Sequence, residues 1–134
     1  MKLQEQIDIQ AGAAKIWSFI GDVSLWPHFV SRITRATSKS WKRYEFQHDK
    51  GLIQGELMDE HLEKEIAVKL YLKGRAAIIR YTLEEQGAFC RVTEIQEFPI
   101  PFPINLIVGW MHRTGKKTGN SNLDHLKRLV ESTF

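Results

Sequence analysis

The sequence predicts one α+β domain in which an antiparallel β-sheet is covered by a long C-terminal helix. Most segments before residue 98 alternate between apolar and polar side chains, which is the period of a half-buried strand. The turns between these segments are too short for parallel crossovers, so neighbouring strands must be antiparallel. One long helix is predicted over residues 104–131, entered through the proline-rich FPIPFPI run, and it is amphipathic from His112 onward. A one-sided sheet must bury its apolar face, and only this helix is large enough to cover it.

The chain begins with a predicted strand over residues 2–10, because its aliphatic side chains alternate with glutamines and an aspartate. A short helix follows over Ala13–Ile20, with apolar residues three and four positions apart. Gly21 ends that helix, and Asp22 is a good N-cap for a second short helix. Pro27 ends or bends this second helix.

The middle of the chain is predicted to form a series of strands with the same apolar alternation. Their expected bounds are 32–38, 41–48, 52–62, 65–72, 76–84 and 89–97. The long helix over 104–131 would span about 40 Å, enough to cross the sheet. Its predicted inner stripe consists of Ile107, Met111, Gly115, Gly119, Leu123, Leu126 and Val130.

Length, charge and cysteine content argue against several classes of protein. The length of 134 residues fits a single domain over residues 1–134, and the net charge is only +3. Basic residues are scattered, so nucleic acid is not an expected partner. The single cysteine, Cys90, excludes an intrachain disulfide and fits a reducing cytoplasm. The N-terminus has no apolar signal core, and the uncharged run 98–111 is too short to span a bilayer.

Sequence motifs assign no catalytic residue and no cofactor. The chain contains no GxSxG, no HExxH and no phosphate-binding glycine loop. Asp59, His61 and Glu63 alternate along one strand, but the opposite face of that strand is apolar. The acidic face is therefore expected to point to water, and no metal site is predicted there.

Whether a candidate site contains a buried acid depends mainly on which way Glu94 points. If Cys90 and Val92 face inward, alternation puts Glu94 beneath the helix, where its pKa would be raised or it would need a partner. The reversed register puts Phe89 and Ile95 inward and Glu94 in solvent, and we favour this second register. Glu5 poses the same question on the first strand. Candidate partners for an inward Glu94 are Arg32, Arg35 and His112.

A family resemblance lies in the segment IDIQAGAAKIWSFIGDVSLWPHFVSRI, through Ile16-Trp17, Asp22 and Trp26-Pro27. With the closing LDHLKRLVE, it resembles the START/Bet v 1-like (SRPBCC) superfamily, particularly its polyketide cyclase/dehydrase and coenzyme Q-binding branches. The resemblance implies a helix-grip fold. In that fold a curved antiparallel sheet wraps a long C-terminal helix, two short helices follow the first strand, and a cavity lies between sheet and helix.

The resemblance also implies a function in that cavity, namely binding or transport of a hydrophobic or amphipathic small molecule such as a lipid, quinone or polyketide. The alternatives are a cyclase/dehydrase-type enzyme on such a ligand, and a protein-interaction module with a vestigial cavity. The sequence does not decide whether the protein is an enzyme. The apolar segment from Phe98 to Trp110 would form a gate or a transient contact with a membrane or protein. The expected ligand-binding residues are Trp26, Phe29, Tyr44, Phe46, Met58, Leu70, Tyr81, Val92, Glu94, Trp110, Met111 and Gly115.

Overall fold

The computed structural model describes residues 2–31, 33–48, 51–72, 75–97 and 121–133. Within these residues the chain forms a seven-stranded sheet, and every strand pairing in it is antiparallel. The strands are β1 (Lys2–Ile9), β2 (Ile33–Ser40), β3 (Arg43–His48), β4 (Gly51–His61), β5 (Glu65–Leu72), β6 (Arg75–Glu85) and β7 (Cys90–Glu97). Their order across the sheet is β1-β7-β6-β5-β4-β3-β2. The predicted α+β helix-grip fold is confirmed: a curved antiparallel sheet, two short early helices and a C-terminal helix.

Both short helices lie between β1 and β2. Helix α1 (Ala13–Ile20) buries its apolar stripe, and a 3-10 helix (Val23–His28) follows it. Asp22 caps the 3-10 helix as predicted, since its Oδ1 accepts a hydrogen bond from the backbone N–H of Ser24 at 3.1 Å. Gly21 is the C-cap of α1, and a Cβ at this position would lie 2.5 Å from the Trp17 ring, so a larger residue does not fit.

The C-terminal helix α2 (Asn122–Glu131) begins later than the amphipathic pattern predicts. Ser121 has extended backbone angles (φ −78°, ψ 163°), and its side chain accepts from the N–H of Asp124 at 3.1 Å. The Asp124 carboxylate accepts from the backbone N–H of Ser121 in return, which completes a capping box. A single helix over 104–131 is therefore wrong at Ser121. The predicted stripe is confirmed within α2, where Leu123, Leu126 and Val130 are buried. Its other members, Ile107, Met111, Gly115 and Gly119, lie outside the described residues.

Helix α2 is fixed to β1 and to the loop after the 3-10 helix. Lys127 Nζ donates to the carbonyl of Asp8 at 2.7 Å, and the backbone N–H of Gln10 donates to Glu131 Oε2 at 2.9 Å. At the other end of α2, the N–H of Ser31 donates to Asn122 Oδ1 at 2.8 Å. The start of α2 therefore sits beside the inner face of the sheet.

The sheet has one apolar inner face and one polar outer face. On β6 four alternate residues that face inward are buried: Ala77, Ile79, Tyr81 and Leu83. On the outer face, the Arg80 side chain of β6 pairs with Asp59 of β4 at 3.3 Å and with Glu65 of β5. Asp59 thus neutralises an arginine. No helix in the described part of the chain is long and apolar enough to cross a membrane.

Candidate functional site

A row of three polar side chains crosses the inner face of the sheet. Strand pairing places Glu5 of β1 opposite Glu94 of β7, and Glu94 opposite Tyr81 of β6. Directly paired residues on one face have Cβ atoms about 5 Å apart, so the three side chains are neighbours. The row lies within a mostly apolar face, next to Gln96 of β7 and the start of α2.

Glu94 is the buried centre of this row, with only 4% of its surface exposed. Its Oε2 accepts from the Tyr81 hydroxyl at 2.5 Å and from Asn122 Nδ2 at 3.0 Å, and its Oε1 accepts from Gln96 Nε2 at 3.0 Å. The favoured register, with Glu94 in solvent, is wrong. The three hydrogen bonds offset the cost of removing the carboxyl group from water. The alternation of apolar residues along β7 does not reveal these hydrogen bonds.

The partners of Glu94 also differ from those expected. Arg35 lies exposed on β2, and the side chains that donate hydrogen bonds to Glu94 are neutral. Arg32 and His112 lie outside the described residues. The partner on α2 is Asn122, the first residue of the helix. The capping sequence S-N-L-D marks that helix start and is the signal that would have located Asn122.

The pKa values of both acids in the row are raised. Burial raises the pKa of Glu94, while hydrogen bonds from Tyr81, Asn122 and Gln96 oppose that rise. The half-buried Glu5 also has a raised pKa, first because of burial and then because of the nearby Glu94 and Asp124 carboxylates. A carboxyl group with a raised pKa can donate a proton nearer neutral pH than an exposed one can.

Two aromatic residues from the 3-10 helix region enclose Tyr81. The Trp26 ring stands edge-on to the Tyr81 ring with centroids 5.3 Å apart, and Phe29 lies 5.9 Å from it. Trp26 is held by its indole N–H, which donates to the carbonyl of Ile20 at 2.8 Å. The WP motif therefore positions the tyrosine that donates to Glu94.

A second aromatic pair lies on β3, toward the other edge of the sheet. The Tyr44 and Phe46 rings stack with centroids 6.3 Å apart. Phe46 lies over Gly55, where a Cβ would approach its ring to 2.3 Å, and Gly55 pairs with Leu70 of β5. Tyr44 is half-buried, whereas Phe46 and Leu70 are buried.

The structure brings most of the predicted ligand-binding residues into one apolar cluster. The residues within it are Trp26, Phe29, Tyr44, Phe46, Leu70, Tyr81 and Val92, with Glu94 buried against Tyr81. Met58 does not join them and is 39% exposed, because the pairing of β4 with β5 shifts register between Leu57 and Asp59. Trp110, Met111 and Gly115 lie outside the described residues, as does the segment from Phe98 to Trp110.

In the described part of the chain, no three His, Cys, Asp or Glu side chains come together in a way that could hold a metal ion. His61 ends β4, and Glu63 lies in the following turn with a positive φ of 59°.

No protein-family model matches the chain, and no curated protein matches it by sequence. Solved structures match its fold along nearly its whole length. XoxI from Bacillus cereus is similar with a TM-score of 0.72 at 11% identity, over 97% of this chain and 95% of that one. MLL2253 from Mesorhizobium loti reaches a TM-score of 0.75 at 13% identity, over 100% and 99% of the two chains.

A further similar structure is StfQ, a di-domain ARO/CYC protein of the steffimycin biosynthetic pathway. Its TM-score is 0.71 at 10% identity, over 98% of this chain and 50% of StfQ. At such identities the similarity establishes the fold alone.

Proposed function

We propose that this protein binds or transports a hydrophobic or amphipathic small molecule, such as a lipid, a quinone or a polyketide, on the inner face of its sheet. We further propose that it belongs to the START/Bet v 1-like superfamily, in the polyketide cyclase/dehydrase or coenzyme Q-binding branch. The shared fold with StfQ supports both statements. A cytoplasmic location and a transient membrane or protein contact through the segment from Phe98 to Trp110 stay predictions.

The observation that carries the proposal is one polar cluster set in an apolar concave face. Small-molecule sites are mostly apolar, with a few placed polar groups that fix the orientation of the ligand. The solvent exposure of the inner face increases along β1, from the buried Ile9 to the half-buried Glu5 and Leu3. Glu94 and its neutral donors lie beside this half-buried part. A ligand that contacts Leu3 would therefore reach the polar cluster with one end.

The same geometry defines the ligand-contacting residues that we propose. The apolar contacts come from Tyr44, Phe46, Leu70 and Val92, and the polar contacts from the row through Glu94. The predicted Trp110, Met111 and Gly115 belong to the proposed site by sequence.

Native mass spectrometry of the protein purified from its host tests the proposal. We expect a co-purifying small molecule that organic solvent extracts. A matched pair of variants locates it: Ala77→Phe fills the inner face, whereas Ala76→Phe on the neighbouring outward position does not. The Ala77→Phe protein should lose the bound mass while the Ala76→Phe protein keeps it, with circular dichroism confirming that both fold. No bound mass in the wild type, or equal retention in both variants, would contradict the proposal.

A cyclase/dehydrase-type enzyme is the second candidate, and the Glu94 cluster is the observation that favours it. Convergent, partnered polar groups with raised pKa values are typical of acid/base sites. In such an enzyme Glu94 would exchange a proton with the ligand while Tyr81 and Asn122 hold the carboxyl group. Glu94→Gln should then abolish turnover of the extracted ligand but leave its binding within about tenfold. An unchanged ligand after incubation with the wild type would favour binding alone.

A further inference from the structure

The turn between β2 and β3 presents an aromatic side chain to solvent. Trp41 is 84% exposed, more than the other large apolar side chains that the structure describes as exposed. Lys42 Nζ lies over its ring, 4.5 Å from the centroid. A tryptophan at a two-residue turn is not explained by burial, because an exposed indole contributes little to the stability of a hairpin.

The backbone of this turn also adopts a conformation that is unfavourable for its residue type. Lys42 has a φ of 63°, in the left-handed region that favours glycine or asparagine. Two-residue hairpins reach such angles most easily with Asn-Gly or Asp-Gly, and the sequence has Trp-Lys instead. Backbone strain of this kind is concentrated at functional positions.

The hairpin around the turn is positively charged. Residues 33–44 contain Arg35, Lys39, Lys42 and Arg43 and no acid. Lys39 pairs with Glu45 at 3.6 Å, and Arg43 lies opposite Glu56 on β4. Within the described part of the chain, Arg35 and Lys42 have no ion pair, so the hairpin keeps a net positive charge. Anionic surfaces attract such a segment.

We propose that the β2–β3 hairpin docks this protein on the surface of an anionic lipid bilayer, with Trp41 in the headgroup interface. Tryptophan prefers this interface because its ring is apolar and its indole N–H is polar. A second apolar side chain lies beside the turn: the N–H of Leu57 donates to the carbonyl of Lys42 at 2.8 Å, and the next residue, Met58, is 39% exposed. An exposed indole flanked by cations, as Trp41 is, fits a lipid surface better than a nucleic-acid backbone, which offers no apolar layer.

This docking surface is distinct from the segment from Phe98 to Trp110 and from the inner face, and it does not depend on the proposed ligand. Co-sedimentation with vesicles of phosphatidylcholine containing about 30 mol% phosphatidylglycerol tests it, with pure phosphatidylcholine vesicles for comparison. We expect binding to the anionic vesicles, loss of that binding in about 0.5 M salt, and weak binding to the neutral vesicles.

Variants of the turn identify the contact. Trp41→Ser should weaken binding about tenfold, and Lys42→Gln about fivefold. Tyr71→Ser is the matched control, because Lys69 lies 5.4 Å from the Tyr71 ring and Tyr71 is 42% exposed, but on a strand and not at a turn. Thermal melts check folding, which an exposed site should leave intact.

The proposal is overturned if the wild type ignores anionic vesicles, or if Trp41→Ser and Tyr71→Ser bind them equally. Binding of a single-stranded oligonucleotide in place of vesicles would also overturn it and assign the hairpin to nucleic acid.

Discussion

Replacing Tyr81 with phenylalanine removes one buried hydroxyl and keeps the ring between Trp26 and Phe29. The lost bond is the one to Glu94 Oε2 at 2.5 Å, inside a cluster where Glu94 is 4% exposed. Taking one donor away from a buried carboxyl oxygen costs about 1–3 kcal/mol, and phenylalanine leaves almost no cavity. For a chain of this length that loss lowers the melting temperature by roughly 5–10 °C.

Urea unfolding at neutral pH, followed by circular dichroism, measures this change in the free energy of unfolding. Tyr71→Phe is the control, since it removes a tyrosine hydroxyl that donates to Glu56 at 3.1 Å on the exposed face. That loss should cost less than about 0.5 kcal/mol. If the two variants are equally stable, the Glu94 cluster does not hold the inner face together and the reasoning fails.

Three further predictions concern stability. Gly55→Ala should destabilise the protein by about 1–3 kcal/mol, because its Cβ would clash with the Phe46 ring, and urea unfolding measures this. Asn122→Ala removes the acceptor for the Ser31 N–H and a donor to Glu94, and should cost about 1–3 kcal/mol in the same assay. The raised pKa of Glu94 means that the folded protein binds its proton more tightly than the unfolded chain does. Stability should therefore fall as the pH rises from the ordinary glutamate pKa through the raised one, and Glu94→Gln should flatten that fall in a pH series of unfolding curves.

Each of these predictions has an opposing result. A Gly55→Ala protein as stable as the wild type would mean that the Phe46 ring yields without cost. An Asn122→Ala protein with unchanged stability would show that α2 is held by its apolar stripe alone. An identical pH slope in Glu94→Gln and wild type would assign the slope to another acid, of which Glu5 is the first candidate because its pKa is also raised.

Strands could be predicted from the sequence where buried apolar residues alternate regularly with polar ones. On β6 the inward Ala77, Ile79, Tyr81 and Leu83 alternate with polar residues, so period and burial agree. The same rule places Ile66, Val68 and Leu70 inward on β5. The capping role of Asp22 could also be predicted, because an N-cap contacts backbone groups only two or three residues away in sequence.

The placement of Glu94 could not be predicted, because its partners are far away in sequence. Tyr81 is 13 positions before it and Asn122 is 28 positions after it. Without them, a carboxylate belongs in water, and the solvent register was the reasonable choice. The alternation from Cys90 and Val92 was correct, and the polarity argument against it was wrong.

The helix start and the place of Met58 were missed for local reasons. The amphipathic pattern outweighed the S-N-L-D capping signal, although Ser121 and Asp124 satisfy each other's backbone groups. Met58 was assigned inward on an uninterrupted strand, whereas a register shift after Leu57 changes the alternation.

Methyl-resolved NMR during titration with the extracted ligand tests the central claim most directly. We expect shift changes at inward methyl groups of Val92, Leu70 and Leu126, and none at the exposed Leu52 and Leu62. Changes confined to the exposed residues, or no changes at saturating ligand, would contradict a binding site on the inner face of the sheet.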